Sequence, residues 1–237
     1  MYPLTDHLAR YNFASKYTNN RNVLEVGCGT GYGTGLIAKN STFVVGVDTS
    51  VPAISYAKRE YSGENCEFLV EDGASLAFAT EVFDVLLSFE MIEHLSDPNH
   101  YLTEIHRVLK KGGVLIISTP NKLFTSPGRR TPIWKYHLRE FYYEEFKQIL
   151  KQLFPDVIVL GQRIENPRNL AWDQRVKMLH RVARLLPSSL IRSLPLSMIY
   201  RIMGDVPEPK LEEITISEKN ASTARTFIGI CFKAEPH

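Results

Sequence analysis

At 237 residues the chain has the length of one α/β domain with an insertion, rather than of two independent domains. Hydrophobic residues make up 44% and charged residues 23%, which excludes wholesale disorder and allows a full core without disulfide or metal staples. A net charge of +2 is too small to imply nucleic-acid binding, and three scattered cysteines (Cys28, Cys66, Cys231) give neither a disulfide framework nor zinc-ligand spacing, so a reducing cytoplasm is expected.

The opening stretch MYPLTDHLARYNFASKY lacks the apolar core of a signal peptide. No run approaches the roughly 20 apolar residues that span a bilayer, so a soluble chain is expected, with peripheral contact at the inner face of a membrane left open. Within that stretch, Leu8-Ala9-Arg10-Tyr11-Asn12-Phe13-Ala14 is amphipathic and suits a helix packed on a sheet. Short apolar runs then predict buried strands at 23–26, 43–47, 67–70, 84–88, 114–118 and 157–160. Helical patterns fall between them at 32–39, 52–60, 98–110 and 139–151, and this alternation argues a parallel, doubly wound sheet.

Asp97-Pro98 marks a helix start, because proline is tolerated in the first turn. Lys110-Lys111-Gly112-Gly113 supplies the cations and glycines expected at that helix's end. Residues 226–232, TFIGICF, read as a last strand. Before it, 162–225 reads as a helical insertion capping one side of a single domain, 1–237. Its 168–203 segment holds Arg168, Arg175, Lys177, Arg181, Arg184, Arg192 and Arg201 against one acid, Asp173. Val176, Leu179, Val182, Ala183 and Leu186 repeat at helical spacing until Pro187 and Pro195 break the pattern. A lid, an anionic membrane contact and a subunit interface are all open for it.

The strongest motif is Val23-Leu24-Glu25-Val26-Gly27-Cys28-Gly29-Thr30-Gly31-Tyr32-Gly33, a buried strand running into a glycine-rich turn and a helix. The dinucleotide fingerprint G-x-G-x-x-G is not met, since the sixth position from Gly27 is Tyr32. Glu25 would repel a pyrophosphate, yet it can neutralise a cation through a water or hydrogen-bond network. Asp48 ends the next strand, where a carboxylate can accept from both ribose hydroxyls. Glu71-Asp72-Gly73-Ala74 follows the third, and Asp72 can accept from an adenine amino group. Three acids after three successive strands outline one nucleoside pocket.

At these residues the sequence resembles the class I S-adenosylmethionine-dependent methyltransferases, over roughly residues 8–161 and the final strand. VLEVGCGTGYG, VVGVD, FLVEDGASLAF, FDVLLSFEMIEHLSDP and VLKKGGVLIISTPN match that family's successive motifs. The resemblance implies a Rossmann-like, doubly wound seven-stranded sheet with an antiparallel last strand, and S-adenosyl-L-methionine as cofactor. It implies that Gly27, Gly29 and Gly31 line the methionine portion, Asp48 holds the ribose, and Asp72, Gly73 and Ala74 meet the adenine. Phe89 and Glu90 would lie along the cofactor, with Arg10 and Tyr11 either covering its carboxylate end or simply packing their helix.

Methyl transfer from a sulfonium is an in-line displacement, so no metal is expected. A hydroxyl acceptor must lose its proton, and the candidate bases are His94 and His137. Either can instead be structural, His94 closing a turn and His137 introducing the next helix. The [DNS]-P-P-[YF] quartet of nucleic-acid amino-methyltransferases is missing from Ser88-Phe89-Glu90-Met91. From SFEMIEHLSDP to HLREFYYEEFKQIL, the series is similar to methyltransferases of glycan and polysaccharide biosynthesis, which in turn resemble those of ubiquinone biosynthesis. A small-molecule acceptor, a sugar or glycan intermediate, is therefore expected. Quinone or lipid methylation and a non-catalytic nucleoside-binding protein stand as alternatives. Arg129 and Arg130 can grip an anionic group of the acceptor, and Trp134 and Tyr136 can stack on a sugar face.

Overall fold

The computed structural model describes residues 4–185, 198 and 209–235. Helix α1 (Leu4–Thr18) leads into β1 (Asn22–Val26), α2 (Tyr32–Ala38), β2 (Phe43–Asp48), α3 (Val51–Tyr61) and β3 (Cys66–Val70). Strand β4 (Phe83–Phe89), a 3₁₀ turn (Ile92–His94), α4 (Pro98–Val108) and β5 (Leu109–Pro120) follow. The remainder comprises α5 (Lys122–Thr125), α6 (Tyr143–Lys151), β6 (Asp156–Ile164), α7 (Pro167–Leu185), β7 (Ile214–Ser217) and β8 (Thr226–Phe232).

The strands form one sheet in the order β3-β2-β1-β4-β5-β8-β6-β7. Strands β1 to β5 pair in parallel, and β8 runs antiparallel between β5 and β6. Side chains alternate between the two faces of this sheet, as the two-residue period of a strand requires. Leu24, Val26, Leu86, Leu115 and Ile117 join one core with Tyr101, Ile105 and Phe146, from α4 and α6. Val23, Val85, Leu87 and Ile116 join the other with Tyr11, Ile37 and Ile54, from α1 to α3. Each such fully buried large side chain contributes roughly 1.5–3 kcal/mol, which explains why the strand sequences are continuously apolar.

The predicted strands and the antiparallel last strand are present, but the sheet has eight strands rather than seven. The addition is β7, an edge strand pairing antiparallel with β6 from Gly161↔Ser217 to Ile164↔Ile214. Its four residues, Ile-Thr-Ile-Ser, are all half-buried and so lack the apolar run that marks a buried strand. The segment read as a helical insertion from 162 thus also contains the end of β6 and the whole of β7. The helix expected over 98–110 stops at Val108, and Lys110–Gly113 opens β5 instead of closing α4. There the Gly112 N–H bonds to the Lys233 carbonyl, so pairing with the segment after β8 overrides the local stop signal. Asp97 behaves as expected, accepting from the N–H groups of Asn99 and His100.

Helix α7 is docked by charge as well as by packing. Trp172 stacks on Phe124 with ring centroids 6.1 Å apart, and Val176 is buried beside them. Asp173 accepts from Arg225 Nε at 2.7 Å, with both side chains only 4% exposed. The Arg225 guanidinium also lies over the Trp172 ring, 4.4 Å from its centroid. Val182, counted in the predicted apolar stripe, is 48% exposed, because the helix is covered mainly near its start. Leu186, Pro187, Arg192, Pro195 and Arg201 of the basic segment lie outside the described residues. Asp173→Ala strands the buried guanidinium and is expected to cost about 3 kcal/mol in a denaturant titration. A cost below about 0.5 kcal/mol, the value of an exposed pair, would show that α7 is not anchored this way.

Candidate active site

Glu25 and Asp48 lie at the carboxyl ends of β1 and β2, and the glycine turn, Asp72 and Glu90 follow β1, β3 and β4, where an open α/β sheet forms its crevice. Where β1 leaves the sheet, Gly27, Gly29 and Gly31 take φ values of 80°, 54° and 81°. A Cβ at Gly31 would lie 2.6 Å from the Ala57 Cβ, so the turn is pressed against α3. A Cβ at Gly29 would meet no atom within 4 Å, so this backbone faces open space. Gly33, one turn on, would place a Cβ 1.9 Å from the Tyr11 ring, so Tyr11 packs directly on the backbone of α2.

Two carboxylates fix this turn. Asp48, half-buried, accepts from the Gly29 N–H and the Ser50 N–H, each at 2.9 Å, one on each oxygen. A carboxylate oxygen has two lone pairs, so both oxygens keep capacity for a hydroxyl ligand. Glu25 is 1% exposed and accepts from the Tyr11 hydroxyl on one oxygen and the Thr34 hydroxyl on the other. Burial pushes its carboxyl above the usual range, and the two hydroxyl donors partly offset that shift. Glu25 therefore reaches the crevice through Tyr11 and Thr34. Tyr11 in turn meets the Phe89 ring edge-on, with centroids 5.2 Å apart.

Asp72 is exposed and accepts from the Ala74 N–H at 2.9 Å, while Gly73 is buried against Val26 and Tyr101. Glu90 takes a φ of 54°, a backbone strain uncommon outside glycine, and accepts from the Ser118 hydroxyl. Arg10 is fully buried. Its Nη1 donates to Gln162 Oε1 at 3.2 Å, whereas Nε and Nη2 have no partner. Orphaned buried N–H groups cost on the order of 1–3 kcal/mol each, a cost that an anionic ligand removes. Two guanidinium donors without a partner can receive an anionic group, and the bare backbone at Gly29 can receive a polar one.

On the far side of β4, His94 and His137 come together from 43 residues apart in sequence, with ring centroids 5.0 Å apart. Three hydrogen bonds cause this. The Glu93 carbonyl accepts from the N–H groups of Leu138 and Arg139, and His94 Nδ1 lies 2.9 Å from the Tyr136 carbonyl oxygen. A carbonyl only accepts, so His94 Nδ1 carries a proton, and Nε2 is the ring nitrogen left without a protein partner. His137 Nδ1 lies 2.8 Å from Glu140 Oε1, which orients that ring the same way.

Residues 139–142, expected in a helix, precede α6 because they make these contacts; α6 begins at Tyr143, after the Tyr142 N–H donates to Glu145. Sequence reasoning gave no functional role to the buried carboxyls Glu93 and Glu140. The His-x-x-Glu spacing of His137 and Glu140 was the available signal. Arg130 is exposed, as are Trp134 and Tyr136, at 42% and 59%.

Residues 24–117 match the family described as "Methyltransferase domain". A relative from Mycobacterium tuberculosis named "Probable S-adenosylmethionine-dependent methyltransferase" is 36% identical over 156 residues, covering 65% of this chain and 56% of that one. A ubiquinone biosynthesis O-methyltransferase from Cereibacter sphaeroides is 38% identical over 102 residues, covering 42% of this chain and 41% of that one. The chain spans about half the length of the curated relatives it matches. The fold is shared with a SAM-dependent methyltransferase from Thermotoga maritima, with a TM-score of 0.63, 17% identity, and 97% and 92% of the two chains covered.

Residues 24–117 thus resemble a methyltransferase domain, set in the fold that this structure shares. Asp48→Ala is expected to weaken S-adenosylhomocysteine binding about 10- to 100-fold, the range for losing hydrogen bonds to a charged acceptor. Unchanged affinity in a folded variant would remove Asp48 from the ribose site.

Proposed function

We propose that this chain transfers a methyl group from S-adenosylmethionine to a hydroxyl or amine of a small molecule, with a sugar or glycan intermediate as acceptor. The observation that carries this reading is the histidine pair beside an exposed aromatic shelf. Trp134 and Tyr136 lie 6.3 Å apart, and Trp134 is 6.5 Å from His137. Exposed aromatic faces suit the apolar face of a sugar ring, and Arg130 can hold a phosphate or carboxylate upon it.

The bound cofactor supplies a methyl on a positively charged sulfur. In this reading Arg10 binds its carboxylate, Asp48 its ribose hydroxyls, and Asp72 with Gly73 and Ala74 its base. Glu25 holds Tyr11 against α2, and Tyr11, Phe89 and Glu90 wall the cofactor's length. Gly27, Gly29 and Gly31 let the methionine portion approach bare backbone. Holding donor and acceptor in line contributes on the order of 7–11 kcal/mol. His94 and His137 turn their Nε2 atoms to the acceptor hydroxyl in this reading.

A second reading, methylation of a quinone or lipid at a membrane surface, draws on one further observation. Helix α7 exposes Arg168, Arg175 and Arg181 together with Met178 and Val182, a basic face bearing apolar side chains. The name of the Cereibacter relative points the same way. Among the described residues no helix is long and apolar enough to cross a membrane.

Formation of S-adenosylhomocysteine, measured with nucleotide sugars, sugar phosphates and a catechol-type quinone precursor, separates these readings. Turnover with sugars in plain buffer is expected. Turnover only with the quinone precursor and vesicles favours the second reading, and cofactor binding without any turnover favours a nucleoside-binding regulator. His94→Ala is expected to lower turnover at least 100-fold while leaving S-adenosylhomocysteine affinity within a factor of two, as for loss of acid–base assistance at a hydroxyl. A rate equal to wild type would remove His94 from the acceptor chemistry.

A further inference from the structure

We propose that Glu93, His94 and His137 form a binding site for one divalent first-row cation of the zinc type, placed at the acceptor end of the crevice. The sequence pattern gave no metal motif, because the donors come from two segments joined only by the fold. One ligand atom from each residue lies within 4.8 Å of the other two, the spacing of a single coordination sphere.

The orientation of each donor supports this assignment independently of their proximity. Both imidazoles have Nδ1 committed to an oxygen, His94 to the Tyr136 carbonyl and His137 to the Glu140 carboxylate. Each therefore leaves Nε2 as the ring nitrogen available to a metal ion, which binds the neutral ring. A ligating histidine commonly donates its other N–H to a carbonyl or carboxylate in this way, which fixes its tautomer and raises its basicity. Glu140 is 5% exposed, so the His137–Glu140 pair is an interior arrangement rather than a chance surface contact.

Glu93 supplies the second observation. Its side chain is wholly buried, Oε2 accepts from the Thr119 hydroxyl at 3.0 Å, and Oε1 has no partner. A bare carboxylate oxygen inside a protein is costly unless a cation meets it. The Glu90 carboxylate lies within electrostatic reach and adds negative charge, while the Arg10 guanidinium, also within reach, partly offsets it. Two imidazole nitrogens and one carboxylate oxygen form a donor set suited to zinc and its first-row neighbours. Three protein ligands leave at least one position open, as in catalytic sites.

The ion's role rests on the methyl-transfer reading, although its binding does not. An acceptor hydroxyl taking the open position would become more acidic and lose its proton to solvent water. Its oxygen lone pair then forms the O–C bond as the C–S bond breaks, giving a methyl ether, S-adenosylhomocysteine and one released proton. In this arrangement the histidines hold the ion and do not themselves take the proton.

The test uses tag-free full chain, stripped with chelator and titrated with Zn²⁺ and Mn²⁺ by calorimetry, with the bound metal counted by elemental analysis. One ion per chain is expected. Glu93→Gln and the double variant His94→Gln/His137→Gln should each weaken binding at least 10-fold. Glu140→Gln should weaken it about 10- to 100-fold, as loss of an outer partner does. His100→Ala, on the exposed side of α4, should leave it unchanged. Visible bands of Co²⁺ bound to unmodified protein give a readout that needs no variant to fold. No stoichiometric binding by folded chain, or equal affinity in the folded double variant, overturns the proposal. S-adenosylhomocysteine binding measured on the same samples keeps the two readings apart. Metal binding without it defeats the methyl-transfer reading alone, and the converse defeats the metal site alone.

Discussion

The backbone of Gly27, Gly29 and Gly31 takes positive φ where β1 leaves the sheet, and the Asp48 carboxylate, from the neighbouring strand, clamps that turn through the Gly29 N–H. This conformation is open to glycine and strained for other residues. It lets the chain reverse into α2 with open space at Gly29, while Gly27 and Gly31 leave room for Met91 and for Ala57 and Phe68. The other acidic positions follow from the same register. Strands β1, β2 and β4 are paired in parallel, so Glu25, Asp48 and Glu90 emerge at one edge of the sheet. Strand β3, parallel to β2, brings Asp72 to the same edge.

Around this turn the protein buries charge that a purely structural core would avoid. Arg10 is buried with two unpartnered donor atoms, Glu93 with one unpartnered acceptor, and Glu25 with both oxygens taken by hydroxyls. Glu25 is satisfied internally and braces Tyr11, whereas Arg10 and Glu93 each keep side-chain atoms without a hydrogen-bond partner. The Arg10 guanidinium lies within electrostatic reach of Glu93, and each keeps atoms open, one to an anionic group and the other to a cation. The desolvation cost is repaid only when the site is filled, which ties the stability of this region to binding.

Much of the fold was legible because its signals are local. Continuous β-branched runs marked the strands, and Asp97-Pro98 marked the start of α4. The glycine loop was readable as a tight turn after a strand, although the packing of Gly31 on Ala57 and Phe68 was not. What could not be read depended on partners distant in sequence. Strand β7 is a strand because β6 offers it an edge, and Lys110–Gly113 extends because Lys233 lies beside it. The early start expected for α6 failed for the same reason, since Leu138 and Arg139 donate to Glu93 instead of to a helix. His94 was identified from its place after β4. Its alignment with His137 and the burial of Glu93 and Glu140 appear only once the 136–140 loop is laid across the 3₁₀ turn.

In the proposed function, the glycine turn and the buried Arg10 receive S-adenosylmethionine. Isothermal titration of the unmodified chain with S-adenosylhomocysteine addresses this most directly, because it needs no acceptor and no variant. A single saturable site with one ligand per chain is the predicted result. No heat and no thermal stabilisation, from protein with native secondary structure, would contradict it.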